Sequence, residues 1–460
     1  MTRALFVGSV VLLAPGALGC SCSKRSEQGA DASSEVAPSS STEAPRAGSF
    51  DPYRYSAPIA ASRLSNGEVL VAGLDVAAKA IRLQRISAKD EIVADKTVLD
   101  GIRWSPEVDL KVAPVGPGVA LTWRGKRNDK LVRQMLLVGQ DLAPASEVAD
   151  VAAGSCTTRD AVWFTDGRKV SSKPWSGPVH RVTLVKDDDA TLVCGNHRAF
   201  ALLDEDEGIA LWTLGGEAST DAGAPETGKD AGTHGPRLGA HGPLPLLPDK
   251  DFGDDELRER AEYTVGDDLG VVRVASSGAV AIREVKDGSP GALRRLETKI
   301  PHDDDVVAVD ASPRAVVIVF TEDASEGCGA DGGAPTARTK VMAMRVDRTQ
   351  GKPDEVVELS PGTCGREVGP FFTGVLGDDV SVAWVERVSA IGKARAPIAG
   401  LAHRVVTPEG ALPALGMADQ PADALVDAGC DSSKCFAVAL ARKPGEGNMV
   451  PGYARVIRYP

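Results

Sequence analysis

A short apolar strand that keeps returning constrains this chain more than any other feature. Eight segments share the pattern: Glu68–Leu74, Gly118–Arg124, Ala161–Thr165, Arg198–Asp204, Gly278–Glu284, Ala315–Thr321, Val380–Glu386 and Cys435–Arg442. Each is rich in Val, Ala, Leu or Thr and is bounded by Gly, Asp or Pro, the composition of strands and turns. Each follows another strand across a turn carrying Gly or Asp. Their spacing is mostly about 40 to 60 residues, a period that belongs to propellers, solenoids and arrays. A four-stranded blade takes about 40 to 45 residues, so the expected fold is all-β, a β-propeller of eight blades. The compressed stretch around residues 150 to 215 leaves seven as an alternative count. A pair of open β-sandwiches is the rival architecture.

Neighbouring strands can be fitted to these anchors. The first unit reads as Pro58–Leu64, Glu68–Leu74, Ala80–Ile86 and Thr97–Leu99, and the seventh as Pro370–Leu376, Val380–Glu386, Ala399–Val406 and Ala411–Gly416. The last unit has only Ala422–Asp427, Cys435–Arg442 and Gly452–Tyr459, so Asp51–Ser56 is expected to supply its fourth strand and close the ring. Closure removes the sheet edges that invite aggregation. Residues 215 to 250 are of low complexity and read as a disordered insertion, and Asp254–Glu262 (DDELRERAE) reads as one short surface helix.

The cysteines test the parse. Six lie beyond the N-terminal region: Cys156, Cys194, Cys328, Cys364, Cys430 and Cys435. An even number in an exported chain points to disulfides, with fifteen connectivities open. On the propeller parse Cys156 and Cys194 end first strands of adjacent blades. Cys328 and Cys364 fall in loops that share a face, and Cys430 and Cys435 flank a tight turn. The absence of CxxC and of His at ligand spacing, Cys194–His197 apart, argues against zinc.

The N-terminus predicts location. Arg3 precedes an apolar run, Ala4–Leu13, which is too short to span a membrane and has the length of an export signal. Ala17-Leu18-Gly19-Cys20 resembles the lipobox of bacterial lipoproteins, matching it at Gly19 and Cys20 and departing from it at Ala17 and Leu18. The resemblance implies that residues 1–19 are removed and that Cys20 takes a diacylglycerol and becomes the new N-terminus. Cys22 is left unpaired. Residues 20–50 are Ser-, Ala-, Glu- and Pro-rich and bury nothing, so they read as a flexible tether, with a reach of roughly 30 Å. Ser21 lacks the Asp that holds some lipoproteins in the inner membrane, so the outer membrane is the preferred address, facing either the periplasm or the surface. Without lipidation the chain would be secreted. A lipid anchor with a propeller is similar in architecture to envelope scaffold lipoproteins that help insert outer-membrane proteins.

Chemistry is sparse. A net charge of −12 argues against a nucleic-acid partner. No GxSxG, HExxH, Walker A or GxGxxG sequence occurs, nor a Trp-Asp repeat ending or the Asp box of sialidases. His234 and His241 fall in the insertion. The acidic runs Asp187–Asp189, Asp204–Glu207 and His302–Asp305 match no EF-hand spacing; solvated turns are the expectation, calcium stabilisation the alternative. Trp123, Trp163, Trp212 and Trp384 sit on apolar strands and are expected in the core. No cofactor, metal or catalytic residue is assigned. The expected function is noncatalytic binding of a protein or glycan partner. A hydrolase or lyase with converging loop carboxylates is the enzymatic alternative.

Overall fold

The computed structural model describes residues 59–64, 66–75, 78–89, 91–102, 109–127, 130–151, 154–166, 169–184, 190–205, 208–215, 240–248, 255–326, 328, 338–348, 355–388, 398–412, 424–430, 435–441 and 453–459. The export signal, Cys20, Cys22, the tether and Asp51–Ser56 lie outside them.

Every regular element among the described residues is a strand, and consecutive strands pair antiparallel into eight sheets. Sheet 1 holds β1 (Ile59–Arg63), β2 (Val69–Asp75), β3 (Ala80–Ile86) and β4 (Ile92–Asp100). Sheet 2 holds β5 (Leu110–Val115), β6 (Gly118–Arg127), β7 (Lys130–Val138) and β8 (Ala149–Val151). Sheet 3 holds β9 (Gly154–Thr157), β10 (Ala161–Asp166), β11 (Lys169–Pro174) and β12 (His180–Thr183). Sheet 4 holds β13 (Thr191–Cys194), β14 (Ala199–Glu205), β15 (Gly208–Leu214) and β16 (Ala240–Pro248). Sheet 5 holds β17 (Leu257–Val265), β18 (Asp268–Ala275), β19 (Ala279–Lys286), β20 (Ser289–Pro290) and β21 (Arg294–Lys299). Sheet 6 holds β22 (Asp305–Ala311), β23 (Ala315–Asp323), β24 (Thr339–Asp347) and β25 (Glu355–Ser360). Sheet 7 holds β26 (Arg366–Leu376), β27 (Asp379–Val388), β28 (Ile398–Thr407) and β29 (Gly410–Leu412). Sheet 8 holds β30 (Ala424–Cys430), β31 (Cys435–Ala441) and β32 (Tyr453–Tyr459).

The recurring apolar strand is explained by where its two faces go. Side chains alternate across a strand, and the second strands are covered on both sides. In β23, Val316, Ile318 and Phe320 pack toward sheet 5, whereas Val317 and Val319 pack toward sheet 7. In β14, Ala199, Ala201 and Leu203 face sheet 3, and Phe200 and Leu202 face sheet 5. A strand buried on both faces reads as a near-continuous apolar run. Each sheet therefore shares one apolar core with each neighbour, and sheet 8 joins sheet 1 through Phe436 and Val438 against Val69 and Val71. The first strands neighbour one another in the same cyclic order, β30 meeting β1. This is the expected all-β propeller-type fold.

Three expectations are corrected. The segment read as a helix is β17. Its charges suggested an exposed helical face, but they are spent across sheets: Arg260 pairs with Asp204 of sheet 4 and, at 2.7 Å, with Glu262, while Glu259 accepts the Val306 amide of sheet 6 at 3.0 Å. Recognising β17 moves Gly278–Glu284 from second to third place, because β18 is the second strand of sheet 5. The insertion is shorter than 215–250, since β16 runs through its last third. Pro243, Pro245 and Pro248 disguised it, yet proline is tolerated on a strand that pairs on one side only, and Leu246 and Leu247 anchor it at 0% and 1% exposure. Residues 216–239 lie outside the described residues.

Three disulfides pin the ring, with the pairing that the propeller parse favoured. Cys156–Cys194 joins the first strands β9 and β13 of adjacent sheets, with Cα atoms 5.7 Å apart. Cys328–Cys364 ties the β23–β24 loop to the loop entering sheet 7, at 5.6 Å. Cys430–Cys435 clips the β30–β31 hairpin. The first two close loops of 38 and 36 residues, worth about 4 kcal/mol each in the chain-entropy model.

Candidate functional site

One seam departs from the apolar pattern. Between sheets 5 and 6, three inward faces begin apolar and end charged. On β19 the face runs Val280, Ile282, Glu284, Lys286; on β21 it pairs Leu296 with Arg294; past β24 it runs Met344, Val346, Arg348. Where these faces run out of apolar side chains they enclose a cavity of about 280 Å³. Ile282, Val316 and Val346 form its apolar wall, and Glu284, Lys286, Arg294 and Arg348 its charged wall.

The charged wall is held by a missing side chain. Tyr263, Gly270 and Glu284 lie in one cross-strand row, paired β17 to β18 to β19. Gly270 leaves room for the tyrosine ring, which passes over it; a Cβ there would stand 1.9 Å from the ring. The Tyr263 hydroxyl thereby donates to Glu284 Oε1 at 3.1 Å. Arg348 Nε donates to the same oxygen at 2.5 Å, and its Nη1 donates to the carbonyls of Ser312 at 3.0 Å and Pro313 at 3.4 Å. Lys286 Nζ lies 3.3 Å from Glu284 Oε2. Arg294 donates to the Asp347 carbonyl.

Burial pushes the Glu284 carboxyl up, but the hydrogen bond and charge of Arg348, the charge of Lys286 and the Tyr263 hydroxyl outweigh it and hold the group below its usual value. Burial, then the charge of Glu284, pushes the Tyr263 phenol up, so it stays a neutral donor. The site thus contains one anion already engaged by three partners and three cations beside an apolar wall. It can order an anion.

None of these residues was singled out from sequence. The signal that would have found them is an inward-facing period-two row that turns from apolar to charged before its strand ends. The residues that were singled out lie elsewhere. Trp123, Trp163, Trp212 and Trp384 are core residues. Asp187–Asp189 lies outside the described residues, as do Glu207 and Asp206 of the second acidic run; Asp204 of that run pairs with Arg260. In the third run, burial, and next the charge of Glu322, pushes Asp304 up. Asp310 on β22 is raised by burial against the Ala311 amide and Thr373, and Asp379 by burial and Glu409. These three raised carboxylates have separate sets of neighbours, Asp304 feeling Glu322 and Asp379 feeling Glu409. Among the described residues no group of His, Cys, Asp or Glu is placed to hold a metal ion. His403 is buried, its Nε2 2.7 Å from Ser381 Oγ.

No protein-family model matches the chain, and no curated protein matches it. Among solved structures it is similar to Hsv2 of Kluyveromyces lactis (8% identity, covering 88% of this chain and 99% of that one, TM-score 0.37). Apo AztD from Citrobacter koseri is similar at 9% identity, with 82% and 95% covered and a TM-score of 0.38. AofleA from Arthrobotrys oligospora is similar at 12% identity, with 79% and 88% covered and a TM-score of 0.31. These are β-propeller proteins, and likeness at this level brings no activity or ligand with it.

Proposed function

We propose that the protein is a noncatalytic binding module of a bacterial envelope, tethered by lipid on Cys20 and presenting its ring of sheets to a protein or glycan partner. The observation that supports this best is the contrast within the ring. Its seams are largely apolar and two of them carry a disulfide, which makes a rigid frame, and a cavity among the described residues carries a positively charged lining suited to an anion. The signal-like N-terminus, the lipobox-like Ala17–Cys20 and the Ser/Ala/Glu/Pro tether support the anchoring, with the outer membrane preferred. A net charge of −12 speaks against nucleic acid as the partner.

Two measurements test the reading. Cells expressing the full chain are labelled with radioactive palmitate; label on the wild type and none on Cys20→Ala is expected, and an unlabelled wild type overturns the anchor. The purified chain, immobilised, is used to capture partners from envelope extracts of its own source. A partner retained through a high-salt wash is expected; repeated capture of nothing overturns the binding reading.

A further inference from the structure

We propose that the cavity between sheets 5 and 6 is a ligand site for a small carboxylate with a compact apolar body. The inference rests on the binding-module reading and gives one of its sites a chemistry.

Charge selects the ligand's sign. Lys286, Arg294 and Arg348 against Glu284 leave the lining net positive by two, in a chain whose formal net charge is −12. Glu284 does not repel an incoming anion, because Arg348 and Lys286 already neutralise it. Nor does it recruit a cation: Oε1 is taken by Tyr263 and Arg348, and Oε2 faces Lys286. An entering cation would meet three like charges.

The walls select the ligand's shape. Guanidinium groups match a planar carboxylate through paired, charge-assisted donors. Beside them Ile282, Val316 and Val346 offer apolar side chains. A bare inorganic anion would leave those side chains wet. A carboxylate on a small aromatic or branched aliphatic body satisfies both walls. The volume of about 280 Å³ sits at the small end of ligand sites, which excludes long chains and oligosaccharides from full enclosure. Arg348 is structurally committed, with only 8% of its side chain exposed. Lys286, at 62%, is the cation best placed to give the ligand a charge contact without dismantling the seam, and Arg294, which also holds the Asp347 carbonyl, lines the same cavity.

The test uses the full chain and three isosteres: benzoate, benzyl alcohol and benzylamine. Calorimetry and thermal melting are read for each. Benzoate is expected to bind and raise the melting temperature, with benzyl alcohol and benzylamine at least about tenfold weaker. Lys286→Gln and Arg294→Gln are each expected to weaken benzoate about tenfold while leaving the unliganded melting temperature within a few degrees. Two variants guard against misfolding of either one. A peptide with a C-terminal phenylalanine carboxylate and its amide separate the two sources of such a group. Binding by the acid form alone points to a chain terminus, and binding by benzoate but neither peptide points to a free metabolite-sized acid. Failure of every carboxylate probe, equal binding of benzoate and benzyl alcohol, or unchanged benzoate affinity in both variants overturns the proposal. None of these outcomes depends on partner capture, so the site can fall while the binding-module reading stands.

Discussion

Strand β23 serves two seams that differ in kind. Toward sheet 7 its Val317 and Val319 meet Val380, Val382 and Trp384, and the seam is closed at its edge by Cys328–Cys364. Phe371 stacks on Trp384 there, ring centroids 6.1 Å apart. Toward sheet 5 its Val316, Ile318 and Phe320 meet an apolar face that gives way to Glu284, Lys286 and Arg294 around a cavity. The strand contributes the same residue types to both, so the difference is written in its neighbours. Charged groups drawn out of water cost free energy that apolar packing of similar volume does not. Along β23 the 6/7 seam stays apolar, with Asp310 buried against Thr373 elsewhere in it; the 5/6 seam turns charged at one end, around the cavity.

The sharpest way to break that contrast is to truncate one large side chain on each seam. Trp384 is fully buried, and Trp384→Ala is expected to cost about 4 kcal/mol in denaturant unfolding. Ile282 lines the cavity, has already lost packing partners on that side, and Ile282→Ala is expected at about 2 kcal/mol. Equal losses would mean that the cavity wall is packed like any other seam. Next in size is Gly270→Ala. The added methyl occupies the ring of Tyr263, and overpacking with loss of the Tyr263–Glu284 bond is expected to cost about 3 kcal/mol. A neutral result would show that the tyrosine has another place to go and that the row does not hold the site.

The frame of this comparison was legible in the sequence, and the site was not. Second strands such as AVVIVFT announce themselves because both faces are buried, and the cysteines mark loops that the ring brings together. The first strand of sheet 5 was not legible, because Arg260 and Glu259 find partners on sheets 4 and 6 and Arg258 on the loop between β21 and β22, all distant in sequence, so the local pattern imitates a solvated helix. Strand β16 hid behind its prolines for a similar reason: pairing on one side only relaxes the local rules. The cavity was least legible of all. Its charged residues come from two strands of sheet 5 and the residue that follows β24 of sheet 6, and each looks alone like an ordinary charge at a strand end. Only the seam shows that three such ends meet.

A third seam sharpens the contrast by carrying a polar pair whose site is filled. Ser381 and His403 share the side of sheet 7 that Ala383 and Leu401 turn to sheet 8, and they hydrogen-bond at 2.7 Å. Burial, helped by the charge of Arg404, lowers the His403 pKa from 6.5 to about 4. As the pH falls the unfolded chain therefore takes up this proton first. The contribution is full above about pH 6.5 and drains away between 6.5 and 4, amounting to about 3 kcal/mol. Comparing unfolding of wild type and His403→Gln from pH 7 to 4 isolates it: the wild type should lose more stability over that range. Parallel pH profiles would show that the imidazole is not held neutral by the seam.

Smallest is the effect of unmaking the anion of the 5/6 seam. Glu284→Gln keeps the shape but leaves Arg348, 8% exposed, without its countercharge, and the expected cost is about 2 kcal/mol at pH 7. Because the folded-state pKa of Glu284 lies below its ordinary 4.5, the carboxylate's stabilisation is complete above that value and is lost as the pH falls through the folded-state pKa. Wild type and Glu284→Gln should therefore converge in acid. Removing the anion also raises the net positive charge of the cavity lining by one, so the variant that weakens the fold should bind benzoate more tightly. Opposite signs for stability and affinity at a single residue would mark this seam as built for a ligand; a variant that lost both together would mark it as frame.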